Sequence, residues 1–168
     1  MDRATFQDWL DRYIDAWRAN EPEPIAALFT EDARYGYHPS DEPVTGRDAI
    51  VASWLEEPDD PGDWEAQYDA WAVDGDRGVG YGWTKYFEHG APHDGPTESE
   101  WFNAFFVEFA EDGRARSFLE IDVQSREGLR QRFEQRAADA VAEARTQWEQ
   151  DSANADGARA LDETKVRG

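Results

Sequence analysis

Residues 24–39 read PIAALFTEDARYGYHP, and the reading of this stretch decides the fold. Ile25-Ala26-Ala27-Leu28-Phe29 is a short apolar helix by composition. Thr30-Glu31-Asp32 is polar and breaks it. Residues 33–38 then alternate and are rich in aromatics, which suits a strand. Pro39 ends that strand, because proline has no N–H for a ladder hydrogen bond. A short helix thus hands over, through a tight turn, to a strand carrying Tyr35, Tyr37 and His38.

Upstream, Thr5 is a plausible N-cap with Asp8 three residues on. Phe6, Trp9, Leu10, Tyr13, Ile14 and Trp17 follow at helical spacing and form one apolar stripe. That helix should end near Ala19, before Glu21-Pro22. Downstream, residues 40–45 are a polar loop, and a third helix over 47–57 carries Ile50, Val51, Trp54 and Leu55. After a Pro/Asp/Gly loop come four strands, near 64–73, 79–88, 98–110 and 114–124. Asp74-Gly75-Asp76 and Glu111-Asp112-Gly113 are turn signals between aromatic, alternating runs, which argues for an antiparallel meander. A last helix begins at Ser125 or Arg126, with Leu129, Phe133, Ala137, Val141, Ala144 and Trp148 as its stripe. Residues 151–168 have almost no apolar content and read as a disordered tail. The expected organisation is a domain over 1–124, a helical extension over 125–150 and that tail.

The composition bounds the function. Hydrophobic residues are only 39% of the 168, but aromatics reach 14%, so each core position can bury a large area. There is no cysteine, which excludes disulfides and thiolate chemistry. No apolar run approaches the length of a membrane span, and MDRATFQDWL lacks an apolar signal region, so a cytoplasmic protein is expected. The net charge is −21, and residues 1–125 hold 29 acidic against 9 basic side chains. Such a surface repels phosphate backbones and argues against nucleic-acid binding. Fifteen Arg stand against two Lys, Lys85 and Lys165, which fits either a high-salt habitat or a high-GC coding bias. Zinc spacings, Gly-rich phosphate loops and a Ser/His/Asp triad are all missing from the sequence, so neither a metal nor a cofactor is expected.

The segments Tyr13-Ile14-Asp15-Ala16-Trp17, residues 27–33 (ALFTEDA) and Gly46-Arg47-Asp48-Ala49-Ile50 resemble the NTF2-like superfamily, and within it the SnoaL-like branch. The resemblance spans about residues 4–124. It implies an α+β cone, in which a curved antiparallel sheet wraps around the N-terminal helices and leaves an open mouth. The long C-terminal helix is an addition to that core. The superfamily includes isomerases, cyclases, hydrolases, dehydratases and non-enzymes. Compared with the ketosteroid isomerases, the tyrosine proton donor corresponds to Tyr13, preceded by Arg12. The aspartate base is replaced by His38 or Tyr37, and the second aspartate by Phe105. Two of three functions are changed or missing, so a ketosteroid isomerase is not expected. The Asp-Arg-Asp set of the superfamily's epoxide hydrolases has no match either.

The facing that the resemblance implies turns Tyr81, Trp83 and Lys85 inward on one meander strand. It turns Trp101, Asn103, Phe105 and Val107 inward on the next, and Phe118, Glu120 and Asp122 on the last. A one-residue slip would instead point Leu119, Ile121 and Val123 inward and leave the carboxylates solvated. Inside an aromatic cone, Glu120 and Asp122 would be pushed toward neutral pKa and would serve as general acid or base. His38 could be a base or a donor, or a rim histidine beside a loop. Tyr13, Tyr35, Tyr81 and Asn103 offer hydrogen bonds, and Trp17, Trp54, Trp83, Trp101, Phe105 and Phe118 offer flat walls. Lys85 could pair with the carboxylates or neutralise an acidic ligand. The expected function is therefore cofactor-independent acid–base chemistry, of isomerase, dehydratase or cyclase type, on a small, flat, apolar or aromatic molecule. The other reading is a non-catalytic ligand-binding or assembly domain. An apolar outer face at Phe102, Ala104 and Phe106 suggests a homodimer through that face or through the C-terminal helix.

Overall fold

The computed structural model describes residues 1–93, 97–127, 130, 134, 136–148 and 150. Three helices and a six-stranded sheet make up the unit Met1–Ser125: α1 (Arg3–Ala19), α2 (Pro22–Leu28), β1 (Phe29–Gly36), β2 (Val44–Thr45), α3 (Arg47–Glu56), β3 (Trp64–Asp74), β4 (Arg77–Tyr86), β5 (Ser99–Phe109) and β6 (Ala115–Gln124). The strand order is β2-β1-β6-β5-β4-β3. β3 to β6 form the expected antiparallel meander, and β1 joins it parallel to β6, so the sheet is mixed. This is the α+β cone.

α1 starts earlier than the Thr5 cap implies. The Asp2 carboxylate accepts from the Thr5 N–H at 2.8 Å and from the Thr5 hydroxyl at 2.7 Å, so Asp2 is the N-cap. The stripe read from the sequence is buried: Phe6, Trp9, Leu10, Tyr13 and Ile14 pack into the core with Phe29, Phe105, Phe109 and Phe118. Each such side chain contributes about 1.5–3 kcal/mol when removed from water. Trp9 sits at the centre, edge-on to Phe29 and Phe109 with centroids 6.4 and 5.4 Å away.

β1 is shifted relative to the expectation for residues 33–38. Phe29 already has extended backbone (φ −120°, ψ 149°), and the strand stops at Gly36. His38 therefore falls in a turn, where its carbonyl accepts from the Asp41 N–H at 3.1 Å.

β4 faces the opposite way from the expectation. Its inward set is Gly78, Gly80, Gly82, Thr84 and Tyr86, because Gly80, Gly82 and Thr84 lie opposite the inward Phe105, Asn103 and Trp101 of β5. The reason is the approach of α1. A Cβ on Gly78 would sit 2.7 Å from the Phe6 ring, and one on Gly80 would sit 3.1 Å from Leu10. Only glycine lets the helix lie this close to the strand. Tyr81, Trp83 and Lys85 are consequently on the outer face, with Tyr81 46% exposed.

From Arg126 the chain forms a second unit. Its described residues are helical at 126–127, 130, 134, 136–148 and 150, and Val141 and Trp148 are exposed. Leu129, Phe133 and the tail read over 151–168 lie outside the described residues. Among the described residues no helix is long and apolar enough to cross a membrane.

Candidate active site

The open end of the cone holds a cavity of about 790 Å³. α1 supplies Tyr13 and Trp17, four residues apart on one face, with Asn20 at its end. β1 supplies Tyr35, and Tyr37 follows it. α3 and the loop after it supply Ser53, Trp54, Glu56, Glu57 and Asp59. The sheet supplies Thr84 and Tyr86 from β4, Ser99, Trp101, Asn103 and Phe105 from β5, and Glu120 and Asp122 from β6.

Glu120 is the group of greatest chemical interest. It is half-buried and accepts a short hydrogen bond from the Asn103 amide nitrogen. Burial pushes its carboxyl up to about 7, the Asn103 bond pulls it down, and the Asp122 charge adds to the rise. Desolvation thus outweighs the hydrogen bond. Asp122 lies directly across the strands from Asn103. Asn103 is 6% exposed, and its Oδ1 has no hydrogen-bond partner among the described residues.

The Tyr13 and Tyr35 hydroxyls lie 2.7 Å apart. Burial, first, and the Glu120 charge among the remaining causes, raise both well above the ordinary tyrosine value. Both therefore stay protonated at neutral pH. One hydroxyl uses its proton on the other, and the second proton of the pair is left to donate elsewhere. Phe118 does not line the cavity. It stacks behind the pair, 4.5 Å from the Tyr35 ring and 5.3 Å from that of Tyr13, and holds both in place.

The mouth is fastened from two sides. The Trp17 indole stacks on Trp64 at 4.0 Å and donates to the Asp59 carboxylate at 3.0 Å. The Asn20 amide donates to the Asp59 carbonyl at 2.8 Å. From the loop after β4, the His89 ring bonds Asp63 at 2.7 Å, and the His93 ring bonds Glu65 at 2.8 Å and the Gly62 carbonyl at 2.6 Å. These partners raise both histidines above their ordinary value, Asp63 acting first on His89 and the Gly62 carbonyl first on His93. Asp60, Asp63 and His89 bring potential ligand atoms within 4.8 Å of one another at the surface.

The sequence expectations divide accordingly. Tyr13, Trp17, Tyr35, Trp54, Trp101, Asn103, Phe105, Glu120 and Asp122 are gathered around one space. His38 is not: it is exposed in its turn, its Nδ1 engaged with Ser40 at 2.8 Å. Tyr81, Trp83 and Lys85 are excluded by the facing of β4. Lys85 pairs with Glu100 at 3.7 Å and lies 4.8 Å over the Trp83 ring, both on the outer face. Thr84 and Tyr86 were missed for the same reason, and the Gly-x-Gly-x-Gly alternation ahead of them is the signal that would have found them. Asp59, in a loop, had no signal.

A model of the SnoaL-like domain matches residues 10–118. None of the curated proteins compared matches the chain. Among solved structures, a candidate ketosteroid isomerase from Kribbella flavida superposes with a TM-score of 0.56 at 20% identity, over 74% of this chain and 82% of that one. A candidate SnoaL-like polyketide cyclase from Jannaschia gives 0.55 at 16% identity, over 71% and 86%. A protein from Catenulispora acidiphila gives 0.54 at 23% identity, over 71% and 89%. At these identities the likeness is one of fold.

Proposed function

The chain belongs to the SnoaL-like domain family, and from that premise we propose that it is a small-molecule enzyme whose cavity takes a flat, mainly apolar compound bearing a carbonyl or hydroxyl group. The observation that carries this reading is Glu120, a carboxyl raised to about 7 that lines an aromatic cavity. A group of that pKa both accepts and returns protons at neutral pH. In the proposed reaction the Glu120 carboxylate takes a proton from the carbon next to the substrate carbonyl. The free proton of the Tyr13–Tyr35 pair donates a hydrogen bond to the oxygen on which charge develops. Return of the proton at another carbon is isomerisation. Departure of a hydroxyl that takes the proton is dehydration, and attack of the enolate on a second carbonyl, whose oxygen then takes the proton from Glu120, is cyclisation.

The test is solvent-deuterium exchange at the carbon next to the carbonyl in a panel of aromatic ketones and polyketide-like compounds, followed by proton NMR. Exchange with the natural protein, lost in Glu120→Gln while binding persists, is the expected result. Binding without exchange in any member would replace the enzyme by a ligand-binding domain.

One observation favours an assembly role alongside this one. Phe102, Phe106, Ile121 and Val123 are exposed together on the outer sheet face. Such a face supports a homodimer, which sedimentation would detect and Phe106→Glu would dissociate.

A further inference from the structure

Five carboxylates line the cavity: Glu56, Glu57, Asp59, Glu120 and Asp122. Among the described residues, none that lines it is Lys, Arg or His, and none of the five carboxylates forms an ion pair with a described residue. Elsewhere on the same unit the acidic side chains do find cations: Arg77 meets Glu108 at 2.9 Å, Arg114 meets Asp112 at 2.6 Å and Arg116 meets Asp76 at 2.7 Å. The few cations of this unit are thus spent on surface carboxylates, and the cavity carboxylates have none among the described residues. Lys85, the lysine that could have reached in, is turned to the outer face.

The walls between those carboxylates are aromatic, with Trp17, Trp54, Trp101 and Tyr86 among them. The faces of such rings are electronegative and attract a cation, Trp most strongly. Low-dielectric walls focus the field of the carboxylates into the space they enclose. The third feature is Asn103, buried to 6% exposure, whose Oδ1 has no donor among the described residues. An acceptor held there suits a ligand that brings an N–H.

We infer that the cavity selects a flat apolar ligand carrying a protonated amine, and rejects carboxylates and phosphates. This rests on the preceding reading of the cavity as a ligand site and narrows its substrate class. A cation in the bowl supplies the charge that its own side chains lack. An anion meets a wall of acidic side chains with no counter-charge.

Three probes of similar size separate the classes: protonated 4-phenylbutan-2-amine, the neutral ketone benzylacetone and the anion hydrocinnamate. Binding is followed by tryptophan fluorescence and calorimetry at salt high enough to screen the field of the whole protein. The ammonium is expected to bind about tenfold tighter than the ketone, and the anion not at all. At pH 8, where Glu120 is charged, Asp122→Asn and Glu120→Gln should each lower that preference severalfold while the ketone's affinity is kept. Glu111→Gln, which removes one charge from an exposed turn, should leave the preference intact. If Glu120→Gln does not fold, Asp122→Asn carries the comparison. An ammonium that binds no tighter than the ketone overturns the inference, as does an equal loss in Glu111→Gln. Ketone binding without ammonium preference leaves the proposed function standing, whereas failure of all three probes removes both.

Discussion

The hydroxyl of Tyr13 on α1 lies 2.7 Å from the hydroxyl of Tyr35 on β1, so the first helix and first strand are joined inside the cavity by one shared proton. Each oxygen is the other's partner in a buried place. Tyr13→Phe or Tyr35→Phe alone strands the remaining hydroxyl and should cost about 1–3 kcal/mol. The double variant should cost clearly less than the two added together, as a double-mutant cycle in urea would read. Additive losses would mean that the hydroxyls do not depend on each other.

Glu120 should make the protein less stable as pH rises. Its carboxyl is raised to about 7 in the folded protein from the ordinary value of 4.5. The folded state therefore holds the proton longer than the unfolded state. Its contribution is fully present below about 4.5 and is lost as pH climbs through about 7. Above pH 8 the charged form costs on the order of 3 kcal/mol, from about 1.4 kcal/mol per pKa unit. Glu120→Gln should gain stability by that order at pH 8 and almost nothing at pH 4. Melting temperatures of the two proteins across pH give the comparison.

The glycine face of β4 should tolerate no side chain. Gly78→Ala drives a methyl to within 2.7 Å of the Phe6 ring, and overpacking of this kind costs about 1–3 kcal/mol. Gly82→Ala should do worse, because its Cβ would meet the Gln67 carbonyl at 1.9 Å, a backbone atom that cannot turn aside. Denaturation midpoints should rank natural protein, Gly78→Ala and Gly82→Ala in falling order.

His89 and His93 should both titrate above 6.5, since their carboxylate and carbonyl partners favour the charged rings. The sign is that of a raised base: the added hold on the mouth loop is complete below 6.5 and fades as pH passes the folded values. Proton NMR of the ring signals measures both. Asp63→Asn should bring His89 down toward its ordinary value, with Asp60 still holding it up, and leave His93 raised.

Much of this was legible in the chain, and the parts that were not have local causes. The stripe Phe6, Trp9, Leu10, Tyr13 and Trp17 reads directly because a helix repeats its face every three or four residues. The inward facing of Asn103 and Glu120 followed from the fold's usual facing, and these two residues are indeed on one face. β4 misled because alternation says that two sets exist and not which one is inside. Tyr81 and Trp83 look like core, but α1 lies so close that the inward positions 78 and 80 admit only glycine. His38 misled because the strand stops two residues early, at Gly36. Asp59 and Tyr86 meet at the mouth through tertiary contacts that no local pattern encodes.

The most direct test is the titration of Glu120 itself, by carbon NMR of labelled glutamate with the Glu120→Gln protein to assign the signal. A midpoint near 7, displaced when a ligand occupies the cavity, is the expected result. A midpoint at the ordinary glutamate value of about 4.3, indifferent to ligand, would contradict the proton-transfer role on which the proposed function depends.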